Sequence, residues 1–216
     1  SLVYVKSSVN PQYGTEVGGT YYDYQTNGSM QERIHVDAAG NVRMVWTQGL
    51  DTVGGGTFPD RGVGYNYYDA STQTFVPGDS AGAPNGLAPS RVGWPTLAAK
   101  EGSEIVAAHA LVILKNPTPG QTDWSDRVPT EITGGTLFPH FHYNEDNSTL
   151  HMTYSNTART GFLYAKSTDD GDNFSTVDVD VPGIFGLSSK ITFNNLRDDV
   201  HDMVSKGDTL VIGAGG

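Results

Sequence analysis

One unit recurs along this 216-residue chain: a strand-length apolar run, a polar turn, and a second such run. The second runs are Val42-Arg43-Met44-Val45-Trp46, Ile105-Val106-Ala107-Ala108, Leu150-His151-Met152-Thr153-Tyr154 and Leu210-Val211-Ile212. They follow the turns Ala39-Gly40-Asn41, Glu101-Gly102-Ser103, Asp146-Asn147-Ser148 and Lys206-Gly207-Asp208. Each turn is preceded by another strand-length stretch, at residues 32–36, 94–99, 139–144 and 199–205. Helical periodicity is scarce, so the pattern predicts an all-β fold. The repeat is too long for solenoid units of roughly 20 to 35 residues. It suits a β-propeller of four-stranded antiparallel blades of roughly 40 to 50 residues with loop insertions.

Outer strands are visible in two units. Val63-Gly64-Tyr65-Asn66-Tyr67-Tyr68 is followed by a polar turn and then Thr74-Phe75-Val76; Gly161-Phe162-Leu163-Tyr164-Ala165-Lys166 is followed by residues 174–179. Residues 49–61, with Gly54-Gly55-Gly56, and 77–89 read as surface loops. The whole chain is expected to be part of one propeller domain. N-terminal strands would span about 1–30, blades about 31–77, 91–133 and 137–180, and a partial blade about 197–216. An open ring of fewer than four complete blades leaves sheet edges exposed. The expectation is therefore an incomplete set of about three and a half blades, with the remainder of a longer polypeptide as partner. A start at Ser1, without an initiator Met, fits a processed or excised segment.

The balance of charge excludes several function classes. The net charge is −11, and no basic cluster interrupts the acidic surface. Phosphate backbones would be repelled, so nucleic acid is not an expected partner. No apolar run is long enough for a spanning helix, and membrane insertion is not expected. There is no Cys, which removes disulfides and thiolate metal sites.

Ser167-Thr168-Asp169-Asp170-Gly171-Asp172-Asn173-Phe174 fits Ser-x-Asp-x-Gly-x-x-aromatic. Asp169 is expected to accept hydrogen bonds from its own turn, Gly171 to take a positive φ, and Phe174 to plug inward. The motif resembles the Asp box (BNR repeat) of sialidase-like propellers, and the resemblance implies a structural role for Ser167, Asp169, Gly171 and Phe174. A calcium-loop reading of Asp169-Asp170-Gly171-Asp172 fails because the Gly comes too early; no motif supports Ca2+, and no metal or cofactor is expected. Tyr21-Tyr22-Asp23-Tyr24, Val45-Trp46-Thr47-Gln48-Gly49 and Arg91-Val92-Gly93-Trp94-Pro95 also resemble large propeller proteins secreted by Bacteroidota. Many of those carry type IX secretion sorting domains. The resemblance implies an extracellular or cell-surface location. Asp51-Thr52-Val53, Asp79-Ser80-Ala81 and Asp208-Thr209-Leu210 resemble short O-glycosylation motifs.

In such a fold the first strand of each blade lines the channel. Those stretches carry Arg33 and His35, Trp94 and Thr96, His140 and His142, and Asp199, His201 and Asp202. Arg33, His35, Trp94, His140, His142, Asp199 and His201 are the ligand-binding candidates. His140 and His142, two apart, share one strand face. They could offer two metal ligands or serve as hydrogen-bonding channel residues. Trp94 could stack on a sugar or pack a blade. Sialidases use an arginine triad, a Tyr–Glu pair and an Asp; Arg33-Ile34 matches only the first arginine's motif, without its Pro, and no catalytic residues are assigned. The expected function is a non-catalytic module binding a glycan or extracellular protein. A sialidase-type glycoside hydrolase and a structural part of a surface assembly are the alternatives.

Overall fold

The computed structural model describes residues 17–25, 32–51, 57–76, 86–121, 124–157, 161–181 and 201–214. Among them every regular element is a strand. The first sheet holds β1 (Ile34–Val36), β2 (Val42–Gln48), β3 (Gly62–Asp69) and β4 (Thr74–Val76). The second holds β5 (Gly93–Lys100), β6 (Ser103–His109), β7 (Val112–Asn116) and β8 (Ser125–Arg127). The third holds β9 (Leu137–Asn144), β10 (Thr149–Ser155), β11 (Phe162–Ser167) and β12 (Thr176–Asp180). A last hairpin pairs β13 (His201–Lys206) with β14 (Thr209–Ala214). All pairings are antiparallel between chain neighbours. The first strands adjoin one another in the series β1, β5, β9, β13, while the fourth strands chiefly adjoin their own third strands. The sheets thus fan from a shared inner edge, an arrangement consistent with propeller blades.

The seams between sheets carry the core. Val45, Val63 and Tyr65 of the first sheet pack on Leu97, Val106, Ala108, Val112 and Leu114 of the second. Ile105, Ala107 and Ile113 of the second pack on Phe141, Leu150, Met152, Tyr154 and Ala165 of the third. At roughly 25 cal/mol per Å² of apolar surface, this burial supplies the main drive that holds sheet to sheet. One buried polar knot interrupts the first seam. Glu104 accepts bonds from Tyr65 Oη at 2.8 and 2.9 Å and from Asn116 Nδ2 at 3.1 Å, and lies 3.1 Å from Arg43 Nε.

The sequence predicts outer strands only for the first and third units; the second has them too, as β7 and β8. The β6–β7 turn is made by Ala110 and Leu111 at φ 73° and 39°. Neither residue favours that conformation, so nothing in the sequence marks the turn.

The segment after β11 turns tightly. Asp169 Oδ1 accepts the Asn173 N–H at 2.8 Å and the Ser167 hydroxyl at 2.7 Å, while Ser167 Oγ accepts the Gly171 N–H at 2.8 Å. Gly171 sits at φ 80°, and Phe174 is buried in the core of the second seam. The turn also reaches across to the second sheet. Asp170 pairs with Lys100, Asp172 Oδ1 lies 2.6 Å from Lys115 Nζ, and the Gly171 carbonyl accepts from Arg127 at 3.2 Å. Its work here is to fasten two neighbouring sheets.

Candidate functional site

The inner edge is built by the first strands, and its polar side chains concentrate on the face of the third sheet that turns away from the second. Paired residues in adjacent strands share a face. Phe141 pairs with Met152 and faces the apolar seam; His140 pairs with Thr153 and His142 with His151, so all four face the other way. The β13–β14 hairpin sits on that side. His201 Nε2 lies 2.7 Å from Thr153 Oγ1, and its ring lies 5.0 Å from that of His140. His142 Nε2 lies 2.8 Å from Ser205 Oγ. His140, His142 and His201 are thus brought together.

Two carboxylates frame this group. Asp202, whose side chain is 90% exposed, places Oδ1 3.9 Å from His140 Nε2. Glu32, just before β1, lies 3.8 Å from His35 Nδ1. Burial pushes the His140 and His142 imidazoles below their ordinary pKa, and the fields of Asp202 and Glu32 partly oppose it. His140 is only 2% exposed, and its Nδ1 has no hydrogen-bond partner. Arg33 is half-buried with Nε unpartnered, and desolvation lowers its pKa to about 10. Among the described residues no three His, Cys, Asp or Glu side chains form a metal-binding group. Asp199 lies outside the described residues.

Trp94 belongs to a different environment. It is 6% exposed. The Arg61 guanidinium lies 4.2 Å from its ring centroid, Tyr22, His109 and Phe138 meet it edge-on, and its Nε1 donates to the Tyr24 carbonyl at 3.1 Å. These contacts enclose the ring almost completely. Its backbone explains the placement. Phe58, Trp94 and Phe138 each precede a proline, and each has a positive φ, of 45°, 47° and 50°. Such conformations cost about 1–3 kcal/mol each and persist where packing over-determines them. Here Tyr22 and Trp94 link the three rings into one cluster.

Beside this cluster, residues 20–25 form no strand yet are firmly held. Gln25 Nε2 donates to the Thr47 carbonyl at 2.9 Å while its Oε1 accepts the Thr47 N–H at 3.0 Å, and the Tyr21 N–H donates to the Gly49 carbonyl at 2.8 Å. Tyr21 and Tyr24 are left exposed. Glu32, His151 and Ser205 were not among the residues expected from sequence. His151 had a signal, since the two-residue period of β10 puts it with Thr149 and Thr153 on the non-core face. Glu32 and Ser205 had none.

No family profile matches the chain, and no curated protein matches it in sequence. Among solved structures, a family 117 glycoside hydrolase of the marine bacterium Zobellia galactanivorans aligns with a TM-score of 0.49 and 12% identity. The alignment covers 88% of this chain, which spans 63% of that structure.

Proposed function

We propose that the chain forms the ligand-binding part of a non-catalytic, extracellular β-propeller, and that its inner edge binds a glycan. The observation that supports this is the convergence of His142 from the third sheet and of Asp202 and Ser205 from the β13–β14 hairpin on buried His140 and His201, with Glu32, ahead of β1, within electrostatic reach of His140 and His142. Sugar hydroxyls both donate and accept, and imidazoles, carboxylates and a serine hydroxyl match them.

The test is a glycan array followed by calorimetry on the strongest hit. Asp202→Asn, on an exposed side chain, should weaken binding at least tenfold, a loss of about 1.4 kcal/mol, and leave thermal stability unchanged. Absence of any glycan ligand, or an unchanged affinity in Asp202→Asn, would refute the reading. The presence of two carboxylates acting on the same His140–His142 pair favours a second reading, a glycoside hydrolase, because that chemistry uses paired carboxyl groups. Release of reducing sugar that is lost in both Glu32→Gln and Asp202→Asn would select it.

A further inference from the structure

The seam under the β13–β14 hairpin differs from the other two. Four imidazoles, His140, His142, His151 and His201, lie in it where the second seam has Ile, Leu, Met and Phe. His140, His151 and His201 are all buried. The His142 and His151 rings stack at 6.2 Å, and His151 Nδ1 shares a 2.7 Å hydrogen bond with Tyr164 Oη. His140 Nδ1 and His151 Nε2 are buried without partners. Polar contacts tie the hairpin's turn to the third sheet. The Gly207 carbonyl accepts from Asn144 at 2.8 Å and Asn147 at 3.1 Å, and Asp146 takes the Gly207 N–H at 2.7 Å and lies 3.0 Å from Lys206. The apolar part is small: Phe162 lies against the His201 ring at 4.7 Å, and Met203, between His201 and Ser205 on the same face of β13, is buried.

We propose that this seam is an acid-sensitive latch: protonation of its buried imidazoles releases the β13–β14 hairpin from the third sheet and so dismantles the inner-edge site. The groups facing the imidazoles decide the sign. His140 faces His201 and Asp202 of β13, Glu32 ahead of β1, and His142 on its own strand. His142 faces Glu32, Asp202, Ser205 and His151; His151 faces His142, Tyr164 and Lys166 of β11. The two carboxylates are solvated, with side chains 90% and 47% exposed, so their pull is screened. A charge inside the seam meets other imidazoles and Lys166. Burial accordingly lowers His140, His142 and, to about 4, His151 from the ordinary 6.5. A depressed histidine contributes stability that is fully present above its unfolded value and is lost as pH falls below it. The window therefore opens below about 6.5 and deepens toward about 4.

Release of the hairpin stands on the seam alone; its consequence for a ligand rests on the function proposed above. Hydrogen–deuterium exchange by mass spectrometry on the full chain at pH 7.5 and 5.0, corrected for intrinsic rates, tests it. Protection over 201–214 should fall at least tenfold at pH 5.0 while the strands of the second sheet keep theirs. His140→Asn with His151→Gln should shrink that pH response. If this variant leaves the hairpin unprotected at both pH values, proton NMR titration of the wild-type imidazoles decides instead. Seam histidines that titrate below 6.5 support the latch. Titration at or above 6.5, a hairpin protected equally at both pH values, or protection lost together from all sheets would overturn it. A chain that binds no glycan but still frees its hairpin in acid would sink the ligand reading and leave the latch standing.

Discussion

Removing one hydroxyl, by Tyr65→Phe, tests whether the polar knot in the first seam is a stabilising device. Tyr65 is buried on β3, and its Oη does two things at once. It donates to the fully buried Glu104 carboxyl and accepts the Gly120 N–H at 3.0 Å. The phenyl ring remains in Tyr65→Phe, so no cavity opens. Losing a hydrogen bond to a charged group costs about 1.5–3 kcal/mol, and leaving the Gly120 N–H unsatisfied costs about 1–3 more. A total of about 2.5–6 kcal/mol, with about 4 at its centre, corresponds to a fall in Tm of roughly 10 °C for a chain of this length.

The effect should also depend on pH with a defined sign. Burial raises the Glu104 carboxyl above its ordinary value, and the Tyr65 hydrogen bond is the largest influence pulling it down. A carboxyl raised in the folded state contributes stability that is present below its unfolded value and lost as pH rises through the folded one. Without Tyr65 that loss grows. The cost of Tyr65→Phe should therefore be larger near neutral pH and shrink as pH falls below the ordinary carboxyl value, where folded and unfolded states both become protonated. Urea unfolding of wild type and variant at several pH values measures it, with Trp124, whose ring lies 5.0 Å from Tyr65, as a local fluorescent reporter. A cost below about 1 kcal/mol at pH 7.5, or one that grows on acidification, would refute the assignment of the knot.

Two further substitutions probe the packing. Gly171→Ala forces a side chain onto φ 80°, with its Cβ 3.4 Å from Ile113 Cγ2 across the seam; it should lower stability by about 1–2 kcal/mol in thermal unfolding, and no loss would mean the turn is free to move. Trp94→Ala removes a buried ring at a strained corner and should cost about 3–5 kcal/mol with loss of the near-UV circular dichroism signal, whereas a stable, normally folded Trp94→Ala would return Trp94 to the ligand candidates.

How far the fold could be read from sequence depends on how each turn is built. The first two strands of the first, second and fourth units are legible because Gly40, Gly102 and Gly207 occupy the positive-φ positions of their hairpins, and those of the third because an Asp-Asn-Ser turn, with Ser148 at φ 55°, stands in for the glycine. The β6–β7 turn escapes because Ala110 and Leu111 hold that conformation without turn chemistry, forced by the pairing of β6 with β7 on either side. The inner-edge site divides in the same way. Two-residue alternation correctly puts His140 and His142 on one face, since both lie beyond the aromatic–proline corner. It fails at Trp94, because the β5–β6 register shifts between Gly93 and Thr96 and the alternation does not carry through. The corresponding corner, Phe138-Pro139, falls within the shift between β9 and β10. Facing in these inner strands must therefore be counted from the residue after the proline. Counted that way, Thr96 and His140 are corresponding positions in successive sheets. Thr96 Oγ1 accepts the Phe141 N–H at 3.2 Å, so the second sheet uses this position to hold its neighbour's backbone. In the third sheet the same position holds His140, beside His201 of the hairpin. A neutral hydroxyl that joins two sheets at any pH has been replaced by a group that titrates, and that exchange sets the third seam apart from the seam before it.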